Sequence, residues 1–101
     1  MSFSRDEVKK IVLDCLLEII GEKVPGKINE QTDPIINLGL DSADGILYAL
    51  GLETRLNIEI PCDQNPLVDD KKHQSRKIGE IVDLLINLIA KNQEKVHVGK
   101  Q

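Results

Sequence analysis

The chain has almost no aromatic side chains. Phe3 and Tyr48 are the only two, and tryptophan is absent. Its core must therefore be built from Ile, Leu and Val, without large rigid rings to fix its shape, and such a core repacks readily. Cysteine is as scarce. Cys15 and Cys62 stand alone, too few and too far apart for a zinc site or a disulfide framework. Cys15 falls in an apolar helical pattern and reads as a small buried hydrophobe. Cys62 follows Pro61 in a polar stretch and reads as an exposed thiol. His73 and His97 have no partner at metal-ligand spacing and read as solvated side chains, so no metal is expected. No apolar run approaches the roughly 18 residues of a membrane span, and membrane insertion is not expected. The start, MSFSRDEVKK, runs straight into charge and holds no signal-peptide core. A cytoplasmic protein with an intact N-terminus is the expectation. An excess of positive charge is missing too: 13 Lys and Arg face 17 Asp and Glu, giving a net charge of −4 and a pI of about 5.1. That argues against nucleic-acid binding, which asks for a basic patch, and favours partners with basic surfaces.

What is present is one domain's worth of chain. The 101 residues, 41% apolar and 30% charged, have ordinary globular composition. Ser4-Arg5-Asp6-Glu7 is a capping box, in which the serine hydroxyl and the glutamate satisfy each other's backbone amides. Val8, Ile11, Val12, Cys15, Leu16, Ile19 and Ile20 follow at helical spacing. Gly21 then ends the run, which predicts a helix over about 5–20. Pro25, Gly26 and Pro34 preclude a continuous helix over 22–40. The expectation there is a long loop pinned to the core by Ile28, Ile35, Ile36 and Leu38. A second helix should open at Asp41 or Ser42, with Ile46, Leu47, Leu50 and Tyr48 as its apolar stripe, running on towards Leu56. Gly45 and Gly51 lie inside it, each costing about 1 kcal/mol relative to alanine. Close backbone packing is the simple reason to keep them.

Ile58-Glu59-Ile60-Pro61 reads as an extended exit. Residues 62–74 are polar, with a short helical turn expected around Pro66-Leu67-Val68. Ser75 should cap a last helix whose buried face is Ile78, Ile81, Val82, Leu85, Leu88 and Ile89, flanked by Leu84 and Ile86. It should end near Asn92, leaving 93–101 as a flexible C-terminal tail. The fold expected is all-α: three main helices and one short helix, with a long loop between helices 1 and 2, over residues 1–92. No stripe can be buried alone, so the helices must face one another.

One segment carries chemistry. Asn37-Leu38-Gly39-Leu40-Asp41-Ser42-Ala43-Asp44 sets a hydroxyl at the first turn of a helix, after a glycine-containing loop. Helix N-termini offer free amides and a partial positive charge, which suit a phosphate. Ser42 either joins Asp41 in capping the helix or offers its hydroxyl for a phosphodiester. A catalytic serine is disfavoured, since there is no G-x-S-x-G elbow and no histidine in a fitting context.

Leu38-Gly39-Leu40-Asp41-Ser42, then Leu52-Glu53, then Ile58-Glu59-Ile60-Pro61, resembles the acyl carrier protein pattern. In that family a Leu-Gly-x-Asp-Ser-Leu junction is followed by Leu-Glu in the same helix and by Ile-Pro just past it. The spacing from Leu38 to Pro61 fits without a gap, and the helix order matches over roughly 5–90. The resemblance implies a four-helix acyl-carrier-like bundle that is not itself an enzyme. It implies a 4′-phosphopantetheine arm on Ser42, beside Asp41, set there from coenzyme A by a phosphopantetheinyl transferase. Acyl groups would ride on the arm as thioesters. Further partners would be acyl-loading and acyl-processing enzymes with basic docking surfaces, met by Asp44, Leu47 and Glu53 of a monomeric carrier. Leu47, Leu50, Leu56, Ile60 and Ile81 would line the space for the acyl chain, with Gly45 and Gly51 letting the second helix shift.

This chain departs from the pattern in several places: Ala43 where the family has a larger apolar residue, Leu47 where a mid-helix Glu is frequent, the unusual Gly45, Tyr48 and Gly51, and a longer 62–77 segment. They suggest a specialised discrete carrier in fatty-acid, polyketide or lipid biosynthesis. The competing expectations are an unmodified helical interaction module of the same fold, and a regulatory bundle docking a helix through Leu47 and Tyr48. A peptidyl carrier fits less well, because an aspartate precedes the serine.

Overall fold

The computed structural model describes residues 3–21, 28–61, 63–69 and 71–99, with side chains as far as Asn92. Three helices pack together: α1 (Arg5–Ile20), α2 (Asp44–Leu56) and α3 (Ile78–Gly99). A long loop separates the first two, and two short strands, β1 (Val68–Asp69) and β2 (Gln74–Ser75), precede the third. Helix α1 packs against both α2 and α3.

The bounds of α1 are those its punctuation dictates. Ser4 Oγ accepts the Glu7 amide at 3.2 Å and Glu7 Oε1 accepts the Ser4 amide at 2.9 Å. Gly21, at φ 79°, donates its N–H to the Leu17 carbonyl. Val8, Val12, Cys15 and Leu16 form the buried face. They join Leu52, Leu56, Leu67, Ile78, Ile81, Val82 and Leu85 in one aliphatic core. Tyr48 is the single aromatic ring sealed inside it, fully buried, with its hydroxyl donating to the Val12 carbonyl at 2.8 Å. That bond fastens α2 to α1.

The loop before α2 is stitched to the start of α3. The carbonyls of Thr32 and Glu30 accept the Ile78 and Gly79 amides at 2.9 Å each, groups that a helix N-terminus otherwise leaves unpaired. Gly79 permits this approach, since a Cβ there would come within 3.0–3.3 Å of Glu30. Arg5 adds a clip, reaching both Glu30 and Asp83 at 2.5 Å. Asp33 is buried at the centre of the loop. Its carboxylate accepts the Ile35 and Ile36 amides and the Ser75 hydroxyl. Ile28, Ile35 and Leu38 pack against the core as expected.

Several expectations are corrected. Ile36 is 74% exposed rather than tucked under the loop. The core face of α2 is Gly45, Tyr48, Leu52 and Leu56, leaving Ile46, Leu47 and Leu50 outside. No short helix forms between α2 and α3 among the described residues. A two-residue antiparallel ladder stands there instead, pairing Val68 with Ser75 and Asp69 with Gln74. The Asn65-Pro66 step disfavours helical backbone, and Arg76 braces the alternative by donating to the Asn65 and Val68 carbonyls. Ser75 does not cap α3, because its hydroxyl is spent on Asp33. Lys77 stands just before the helix, its amide taken by the Glu80 carboxylate at 2.8 Å. Helix α3 continues past Asn92 to Gly99, since nothing between them breaks a helix. Its inner face is the one the spacing predicts. Cys62 lies outside the described residues, as does the His97 side chain.

Candidate functional site

Gly39, at φ 77°, turns the chain into the segment that carries Ser42. The next turn closes through i→i−3 bonds: Asp44 N–H to Asp41 O, Gly45 N–H to Ser42 O and Ile46 N–H to Ala43 O, at 3.1–3.2 Å. This is a 3₁₀ start, common at helix N-termini, and regular α-helix follows from Asp44. Asp41 and Asp44 cap it reciprocally. Asp41 Oδ1 accepts the Asp44 amide at 3.1 Å, and Asp44 Oδ2 accepts the Asp41 amide at 3.0 Å.

The capping duty therefore falls to the two aspartates and not to Ser42. The Ser42 side chain is exposed and its hydroxyl has no hydrogen-bond partner among the described residues. Its carbonyl is held by Asn65 Nδ2 at 2.9 Å. Asn65 is a site residue that the sequence reading missed; the Asn-Pro turn signal at 65–66 was its only trace. Its side chain also accepts the Leu67 amide, and it fills the space where Gly45 lacks a Cβ. Gly45 thus serves close packing. At Gly51 a Cβ would meet only Cys15 Sγ, at an ordinary 3.7 Å. Burial pushes the Cys15 thiol above its usual range.

The remaining expected site residues divide. Ile46, Leu47 and Leu50 are 66%, 63% and 57% exposed and form an apolar strip on the outer face of α2. Asp44 and Glu53 are half-buried. Glu53 Oε2 accepts the Ile60 amide at 2.7 Å, which ties the extended exit back to α2. Leu56, Ile60 and Ile81 are buried in the core. Leu50 and Ile60 share a groove of about 310 Å³ between α2 and the segment of Ile60, Pro61, Gln64 and Asn65, also lined by Gly45 and Glu53. Tyr48, being sealed inside, cannot form an outer docking patch with Leu47.

A larger cavity, of about 850 Å³, lies between the loop, the ladder and α3. Its carboxylates are already engaged: Glu30 and Asp83 by Arg5, Asp33 by Ser75, Glu80 by the Lys77 amide. It does not include Ser42. No three His, Cys, Asp or Glu residues gather as a metal site among the described residues. None of the described helices is long and apolar enough to cross a membrane.

Neither a family model nor a solved structure matches this chain.

Proposed function

We propose that this protein is an acyl carrier, modified at Ser42 with 4′-phosphopantetheine. The observation that carries the reading is the serine hydroxyl itself. It is exposed and unpartnered among the described residues, on a turn whose capping is done entirely by Asp41 and Asp44. Neither the Ser42 nor the Ala43 amide donates to an acceptor among the described residues, so both remain available to a phosphate at this helix start. The groove beside Asn65 offers apolar walls to a chain tethered there.

Attachment is a balanced displacement. Ser42 Oγ forms a bond to the phosphorus that bears the pantetheine of coenzyme A. The bond from that phosphorus to adenosine 3′,5′-bisphosphate breaks, and the hydroxyl proton passes to a base of the transferase. When bound, the arm supplies a thiol that holds acyl groups as thioesters. The chain's own residues present the serine, hold its turn rigid and offer a docking face. That face is the Ile46-Leu47-Leu50 strip, edged by Asp41, Asp44 and Glu53. It suits enzymes with an apolar patch rimmed by Lys and Arg. Its three aliphatic side chains expose far less than the roughly 800 Å² per partner of a stable complex, which fits brief encounters by a monomeric shuttle.

Incubation with coenzyme A and a broad-specificity transferase tests the reading. Intact mass should rise by one phosphopantetheine, and Ser42→Ala should abolish the gain. No gain with several transferases would refute it and favour the unmodified interaction module, whose partner would dock on the same apolar strip.

A further inference from the structure

The turn that presents Ser42 is poorly equipped to hold itself. It opens after Gly39, at φ 77°, its first bonds are of the short i→i−3 kind, and Gly45 stands where the helix begins. Glycine and 3₁₀ geometry both leave a backbone weakly specified. The hold comes from the returning chain. The Ser42 carbonyl accepts two donors, the Gly45 amide at 3.1 Å and Asn65 Nδ2 at 2.9 Å. Asn65 is itself fixed twice: its Oδ1 accepts the Leu67 amide at 2.9 Å, and its carbonyl accepts Arg76 Nη1 at 2.7 Å. The same nitrogen reaches the Val68 carbonyl at 3.2 Å, and the Arg76 amide donates to the Leu67 carbonyl at 2.8 Å. Arg76 is half-buried and forms no ion pair among the described residues, so its permanent charge is directed at these carbonyls. Beside it, Ser75 donates its hydroxyl to Asp33. Asp33 is joined to Asn37 by two bonds of 2.7 Å, its amide to Asn37 Oδ1 and the Asn37 amide to its carbonyl. The 65–76 segment thus grips the loop at Asp33 and again at Ser42.

We infer that Asn65 and Arg76 are positioning residues for the attachment reaction. Arg76 locks the 65–68 turn, and that turn sets Asn65 against the Ser42 carbonyl and fixes where Oγ stands. This rests on Ser42 as the attachment point. Displacement at phosphorus asks for a placed nucleophile, and a small misplacement is costly. A turn released from Asn65 offers its hydroxyl in the right place only part of the time. That fraction divides the apparent affinity of a transferase for the carrier. Once bound, the enzyme holds the turn itself. Loss of the clamp therefore raises KM for the carrier and spares kcat.

Two substitutions test this. Asn65→Asp keeps an acceptor for the Leu67 amide but sets an oxygen, not a donor, against Ser42. Arg76→Leu removes the brace and leaves Asn65 in place. Hydrogen exchange at the Gly45 amide, read by NMR on the unmodified protein, needs no transferase. Each variant should speed it by about 5-fold, and the double variant should speed it no further than Asn65→Asp alone, since Arg76 acts through Asn65. Transferase kinetics, well below the melting temperature, should show KM for the carrier raised about 5-fold and kcat unchanged. The negative charge that Asn65→Asp adds favours a basic enzyme, so it cannot imitate a rise in KM. Arg76→Lys, which keeps a charged donor, should recover most of the loss. Unchanged Gly45 exchange in Asn65→Asp, faster exchange with an unchanged KM, or a fall in kcat in place of the rise in KM would each overturn the inference. Asn65→Asp carries these outcomes alone if Arg76→Leu does not fold. Absence of loading in the unsubstituted protein would instead count against the attachment reading, while the exchange rates would still decide whether Asn65 clamps the turn.

Discussion

Two glycines of one helix should respond in opposite directions to the same substitution. Alanine is favoured over glycine inside a helix by about 1 kcal/mol, and both Gly45 and Gly51 lie within α2. At Gly51 the new methyl meets only Cys15 Sγ at 3.7 Å, so the gain is kept. Gly51→Ala should stabilise by about 1 kcal/mol, raising the melting temperature by about 4–8 °C. At Gly45 the methyl would fall 2.0 Å from Asn65 Oδ1 and 2.6 Å from its Cγ, so Asn65 must leave. Its bonds to the Ser42 carbonyl and the Leu67 amide are worth about 1 kcal/mol each, and overpacking adds about 1–3 kcal/mol. Set against the gain of about 1 kcal/mol, Gly45→Ala should destabilise by roughly 2–4 kcal/mol. Urea and thermal melts of both variants measure the contrast. A double-mutant cycle with Asn65→Ala tests its cause, because removing the asparagine should abolish most of the Gly45 penalty. If both variants shift the same way, or the Gly45 penalty survives in Asn65→Ala, the account of helix α2 is wrong.

Acid should act through two carboxylates. Glu7 is held below the usual carboxylate range by its bonds to the Ser4 backbone and hydroxyl, and Glu30 by the Arg5 guanidinium. As pH falls, the unfolded chain takes up protons on them first, so their contribution is complete above the ordinary carboxylate pKa and lost below it. The melting temperature should hold from about pH 7 to about pH 5 and then decline, and Glu30→Gln should lower the plateau and flatten the decline. An acid limb identical in Glu30→Gln would remove Glu30 from that role. Tyr48→Phe, which loses the buried bond to Val12, should cost about 1 kcal/mol in urea melts; an unchanged midpoint would mean that bond contributes nothing. Transferase loading should slow by about 3- to 10-fold between low and high salt, and Asp44→Lys should slow it further at low salt. Rates indifferent to both would make the acidic rim a merely solvated edge.

Helices α1 and α3 could be read from the chain because their signals are local and redundant. A capping box and a glycine bracket α1, and six aliphatic residues recur down one side of α3. The face of α2 was read wrongly for a physical reason. Hydrophobicity favours Ile46, Leu47 and Leu50, whereas the inner positions 45, 48, 52 and 56 include a glycine that gives no signal and an amphipathic tyrosine. What chose between the two faces was long-range, namely the Tyr48 bond to Val12 and the fit of Asn65 against Gly45. The ladder at 68–75 is too short to show a strand period and depends on Arg76 for its bracing. Ser42 and Asp41 were visible as a motif. Asn65 was not, because its role comes from where the chain returns after α2.

The stitch between the loop and the first turn of α3 has a kinetic consequence. Its two backbone bonds join parts of the chain that are far apart in sequence, and such contacts close late because the intervening chain must first give up its freedom. The path leading to Ser42 therefore settles only once the amides of Ile78 and Gly79 have arrived. In hydrogen exchange those two amides should report every transient release of the loop, well below the protection of the Leu16–Leu52 interior. During synthesis, any enzyme that requires an ordered Ser42 turn must wait until the start of α3 has been made.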